Sequence, residues 1–162
     1  MARYPLWPLM LLLSACIATP VFQPTPNHTA HKRWHYQLRV EPPLDAGETR
    51  VDVLYTASKA TCPVSQVGLR IDPTAQGGAL HFELLLDQFQ DERCGWTASQ
   101  IWIGLGKASG YATRFGLPIG SAPQTRWCRL NPEHGACMAK ESDIRAYNIP
   151  GAVHRVTILR GQ

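Results

Sequence analysis

From residue 35 onward, apolar and polar positions alternate with a period of two, which sends successive side chains to opposite faces of a strand. His35-Tyr-Gln-Leu-Arg-Val-Glu41 alternates, and Arg50-Val-Asp-Val-Leu-Tyr-Thr56 does so more clearly. Gln66-Val-Gly-Leu-Arg-Ile-Asp72 follows. In Ala79–Asp87, Leu80, Phe82 and Leu84 share one face against His81 and Glu83. Trp96–Leu105 contains Ile101-Trp-Ile103, and Ala152–Leu159 closes the chain. Turn residues separate these runs: Pro42-Pro43, Asp45-Ala-Gly47, Asp72-Pro73, Gly77-Gly78, Gly116 and Gly120. Short strands divided by such turns predict a sandwich or barrel.

One stretch departs from this period. Ala136–Tyr147 holds the helix formers Met138, Ala139, Lys140, Glu141 and Ile144-Arg-Ala146 before Asn148-Ile-Pro150-Gly151 stops it. It predicts one short helix near 136–147, packed through Met138, Ile144 and Tyr147. The fold expected is therefore mainly β, an antiparallel β-sandwich or barrel with one short helix, stabilised by disulfides.

The N-terminus has a different pattern. Arg3 precedes an apolar run from Leu6 that reaches twelve residues even when counted to Ile17, with Pro8 inside it. A spanning helix needs about 20 apolar residues, so the run fits an export signal rather than a membrane span. The four residues Leu13-Ser14-Ala15-Cys16 resemble the lipobox of bacterial lipoproteins: an aliphatic residue, two small residues, then cysteine. The resemblance covers the first sixteen residues. It implies a peptidase cut before Cys16, a diacylglycerol on its sulfur and an acylated amine, which together anchor durably where one chain is marginal. Ile17 stands where Asp would favour inner-membrane retention, so the resemblance implies an outer-membrane lipoprotein with its domain facing the periplasm. A conventional cut after Ala18 would instead discard Cys16.

On this reading residues 1–15 are signal peptide and residues 16–34 are a lipidated cysteine with a proline-rich tether (Pro20, Pro24, Pro26). Residues 35–162 form a single β-rich domain. Removing the signal deletes one charge, Arg3, leaving 15 basic and 12 acidic side chains and a net charge of about +3. That balance is too mild and too interspersed for a nucleic-acid partner. Arginine outnumbers lysine twelve to four.

With Cys16 assigned to the anchor, Cys62, Cys94, Cys128 and Cys137 form an even set for an oxidising compartment. Four cysteines allow three pairings. Cys128–Cys137 is favoured because the intervening Arg-Leu-Asn-Pro-Glu-His-Gly-Ala is turn chemistry, which leaves Cys62–Cys94. A zinc site competes for the same residues, but there is no Cys-x-x-Cys knuckle.

Candidate chemistry is sparse. His28, His31 and His35 have metal-ligand spacing if helical, but they lead into an extended segment and flank Lys32 and Arg33. Gly104-Leu-Gly-Lys-Ala-Ser-Gly110 misses the phosphate-loop pattern, because Ala108 follows Lys107. No Gly-x-Ser-x-Gly or His-Glu-x-x-His occurs. Among the aromatics, Trp96 is assigned to the core, and Arg126-Trp127 beside Cys128 is a candidate binding pair. The expectation is a membrane-anchored envelope lipoprotein, without cofactor, that binds a protein partner as an immunity-type inhibitor or an accessory subunit. The alternatives are an envelope hydrolase assembled from dispersed Ser, His and acidic residues, or an envelope metal-binding protein.

Overall fold

Tyr36, Leu38 and Val40 point inward from strand β1 (Arg33–Glu41), as their alternation requires, while His35, Gln37 and Arg39 face out. Nine further strands follow in the computed structural model, which describes residues 22–106 and 112–161, and the alternation is cleanest in β2 and β10. They are β2 (Thr49–Ala57), β3 (Gln66–Ile71), β4 (Thr74–Gln76), β5 (Ala79–Leu85) and β6 (Trp96–Leu105). After them come β7 (Thr113–Pro118), β8 (Gln124–Leu130), β9 (Gly135–Met138) and β10 (Ala152–Arg160). One sheet has the order β4-β5-β1-β10-β8-β9 and the other β3-β2-β6-β7, with every pairing antiparallel. Their inner faces bury Leu38, Leu84, Val53, Ile101, Ile103 and Ile158 against one another, giving a two-layer sandwich. Each such side chain contributes about 1.5–3 kcal/mol by leaving water. Across the layers, the Tyr55 hydroxyl donates to the Leu85 carbonyl at 2.6 Å.

Strand β6 changes phase midway. Trp96 and Ala98 are buried, and then Ile101, Ile103 and Leu105. A β-bulge reconciles the two sets: Leu54 pairs with Gln100 and Tyr55 with Ala98, leaving Ser99 as the extra residue. Its hydroxyl is held by the Leu54 carbonyl at 3.0 Å and by Thr56 Oγ1 at 2.8 Å. The β4–β5 hairpin turns on Gly77 and Gly78, at φ of 59° and 74°, the pair of positive values that a tight two-residue hairpin requires.

Both expected disulfides are present. Cys62–Cys94 ties the loop after β2 to the loop before β6, and Cys128–Cys137 joins directly opposed residues of β8 and β9. The short helix is also present, as α1 (Glu141–Ala146), but it is shorter than the sequence implies. Residues 136–138, expected in its first turn, belong to β9, because the bridge at Cys137 and the ladder to β8 outweigh the helix propensity of Ala136 and Met138. Ile144 is fully buried as expected, whereas Tyr147 is 44% exposed.

Residues 22–32, placed by the sequence within the tether, lie against the sandwich. Asn27 N–H donates to Gln88 O at 2.8 Å, and Gln90 N–H to Thr25 O at 3.0 Å. Phe22 approaches Trp96, with ring centroids 6.4 Å apart. The Asp87 carboxylate accepts the backbone N–H groups of His31 and Lys32 at 3.2 and 3.0 Å. This arm docks at the end of the sandwich formed by loops 58–65, 86–95 and 119–123. Loops 42–48, 77–78, 131–134 and 147–151 form the opposite end. No helix among the described residues is long and apolar enough to cross a membrane.

Candidate functional site

The outward face of the four-stranded sheet carries an unusual row of side chains. Strand register places Arg70, Asp52, Trp102 and Gly116 side by side across β3, β2, β6 and β7. The next row across β2, β6 and β7 contains Arg50, Gly104 and Arg114. Alternation explains the arrangement: Val51, Val53, Ile101 and Ile103 must face the core, so the intervening Arg50, Asp52 and Trp102 face out.

Geometry then turns this row into a recess of about 460 Å³. Trp102 lies over Gly116, where a β-carbon would come within 3.1 Å of the indole. Arg114 covers the same indole, its guanidinium carbon 4.8 Å from the ring centroid, an interaction worth about 0.5–1 kcal/mol at an exposed site. Arg50 Nε donates to Asp52 at 2.9 Å. Arg70 pairs at 3.7 Å with Asp72, which is 94% exposed and lies outside the recess. Three guanidinium groups and one carboxylate thus line the recess around a half-buried tryptophan. Guanidinium forks match carboxylates in a bidentate manner, and tryptophan with arginine is the pairing enriched at binding hot spots. Among the described residues, no hydroxyl, thiol or imidazole lines it.

Two other cavities differ in character. A more open recess of about 820 Å³ lies among Asn131, Glu133, His134, Tyr147 and Asn148. An apolar crevice among Leu38, Val40, Leu44, Ala79 and Leu80 holds about 160 Å³, below the usual range for ligand pockets, roughly 300–1,000 Å³.

Residues singled out from sequence are dispersed. Arg126 and Trp127 are consecutive in β8 and so face opposite sides: Arg126 sits opposite Val156 on the inner side, Trp127 opposite Arg155 and Met138 on the outer side. They cannot serve one surface together. His28 lies in an exposed turn, His31 sits 3.4 Å from Asp87, and His35 faces Glu83 across the β1–β5 ladder at 3.8 Å. The helical spacing that would have made them a ligand set is absent, and no cluster of three potential metal ligands occurs among the described residues. Ser121 bonds to the Pro118 carbonyl and Ser142 to Asp143, while Ser99 is held in the β6 bulge by the Leu54 carbonyl. The buried His154 is engaged with the Pro42 carbonyl at 2.7 Å. Cys16, Lys107 and Ala108 lie outside the described residues.

The sequence reading missed the Arg50–Arg70–Trp102–Arg114 face altogether. The signal was the outward phase of three strands already recognised, and what hid it was the unrecognised strand β7. Comparison with protein-family models, with curated proteins and with solved structures finds no match.

Proposed function

We propose that this chain is a lipid-anchored protein of the bacterial envelope that acts by binding a protein partner through the Arg–Trp face, without catalysis. The observation that carries the reading is Arg114 stacked on Trp102 in a recess where Arg50 and Arg70 face a single lining carboxylate, Asp52. A partner segment presenting carboxylates suits that charge arrangement, and Trp102 supplies a rigid apolar contact at small entropic cost. An immunity-type inhibitor and an accessory subunit of an envelope assembly are the two roles that a compact tethered binder fills. The lipobox Leu13–Cys16 supports anchoring, and Ile17 supports an outer-membrane address with the domain facing the periplasm.

Affinity capture from envelope extract tests the binding role, with wild-type domain and the Trp102→Ala/Arg114→Glu variant compared side by side. The reading expects a species retained by the first and lost by the second. Equal retention by both would move binding off this face. For the anchor, Cys16→Ser should abolish labelling by a fatty-acid analogue and release the protein to the soluble fraction.

A further inference from the structure

We propose that the arm-bearing end of the sandwich faces the bilayer and that the opposite end, with loops 42–48, 77–78, 131–134 and 147–151, is presented away from it. The inference rests on acylation of Cys16 and adds what that reading alone lacks, an orientation.

The argument is one of length. If the arm were a free tether to residue 34, an acylated Cys16 would leave the domain able to turn in any direction. Among the described residues it is docked from Phe22 onward, with Phe22 against Trp96. The isolated bridge Pro26–Phe89 follows, and then the paired hydrogen bonds of Thr25, Asn27, His31 and Lys32 with residues 87–90. Only residues 17–21 separate Cys16 from Phe22, a reach of about 20 Å at full extension. The nine residues of β1 span about 30 Å from the arm end to the opposite end. An upright domain with its far end on the membrane would therefore need more chain than the sequence provides.

The arm end also carries side chains that suit a headgroup layer. Trp34 lies beneath the Arg160 guanidinium at 4.5 Å. Exposed Lys32, Arg33 and Lys59 surround the same end. Tryptophan with flanking cations is the composition found at membrane–water interfaces. The Arg–Trp face runs along the side of the sandwich, so this orientation leaves it open to a partner approaching in the plane of the membrane.

The experiment uses the full-length acylated protein in vesicles of phosphatidylethanolamine and phosphatidylglycerol carrying a headgroup nitroxide quencher. A fluorophore is placed at Gln90→Cys on the arm end or at Glu133→Cys on the opposite end. Ser121→Cys, also on the arm end but outside the arm's hydrogen bonds, serves as a second arm-end probe. Quenching is expected to be several-fold stronger at Gln90 and Ser121 than at Glu133. The mass of the N-terminal peptide is read from the same sample. An acylated peptide with equal or reversed quenching overturns the orientation alone. A peptide without acyl mass overturns the anchor and the orientation together.

Discussion

Trp102 lies flat against Gly116 on the neighbouring strand, so close that a β-carbon at 116 would come within 3.1 Å of the indole. The glycine is there for space, and the indole occupies what a side chain would have taken. Gly116→Val should push the indole off the sheet and uncouple it from Arg114. The expected outcome is a changed near-ultraviolet tryptophan signal and loss of partner capture, with the far-ultraviolet spectrum retained.

Arg114→Ala should cost about 0.5–1 kcal/mol in urea unfolding, the value of one exposed cation–π contact. Arg114→Lys keeps the charge but loses the planar fork, so it should restore part of that stability and little of the binding. If lysine restores capture fully, the face works by net charge and not by bidentate contact.

The docked arm should respond to acid. Burial disfavours the Asp87 carboxylate, yet the backbone N–H groups of His31 and Lys32, with a further contribution from the His31 charge, outweigh it and hold Asp87 below the ordinary carboxylate value of 3.8. Asp91 is lowered as well, chiefly by its side-chain hydrogen bond to Arg93. A depressed folded pKa stabilises at pH above the unfolded value and loses that contribution as pH falls through the folded one. The protection factors of the His31 and Lys32 amides, the intrinsic exchange rate at each pH divided by the observed one, should therefore be high at neutral pH and fall below about pH 4. Asp87→Ala should show the low protection factors at every pH.

The two disulfides should differ in worth because they close loops of different length. Separations of 32 and 9 residues correspond to about 3.5–4 and 2.5 kcal/mol in the chain-entropy model. Paired replacement of Cys62 and Cys94 by alanine should then lower stability by roughly 1 kcal/mol more than the same change at Cys128 and Cys137. Denaturant unfolding of the two double variants checks the order.

Much of this architecture was legible in the sequence because half-buried strands must alternate. The runs beginning at His35, Arg50, Gln66, Ala79, Trp96 and Ala152 all became strands, and the turn between Cys128 and Cys137 located that bridge. Four strands were not legible, each for a local reason. Strand β4 is three residues long. Strand β7 contains Gly116 and ends on Pro118, residues that weaken a strand pattern. In β8 the inward positions begin with Gln124 and Arg126, so polarity conceals the phase. In β9 helix-forming residues are held extended by the ladder to β8. The Arg–Trp face shared the fate of β7, since without that strand Arg114 had no place beside Trp102.

Position 68 allows the binding proposal to be tested directly. Gly68 lines the recess and a β-carbon there would meet nothing within 4 Å, so a side chain carrying the photo-crosslinking group p-benzoylphenylalanine starts from an open position beside Arg70 and Trp102. The measurement is in-cell crosslinking from that site in the full-length protein, with Thr157, on the outward face of the other sheet, as the control site. The account predicts a discrete crosslinked protein from position 68 that disappears with Arg114→Glu and is absent from position 157. The same crosslinked protein from position 157, or its persistence in the Arg114→Glu background, would contradict binding through the Arg–Trp face.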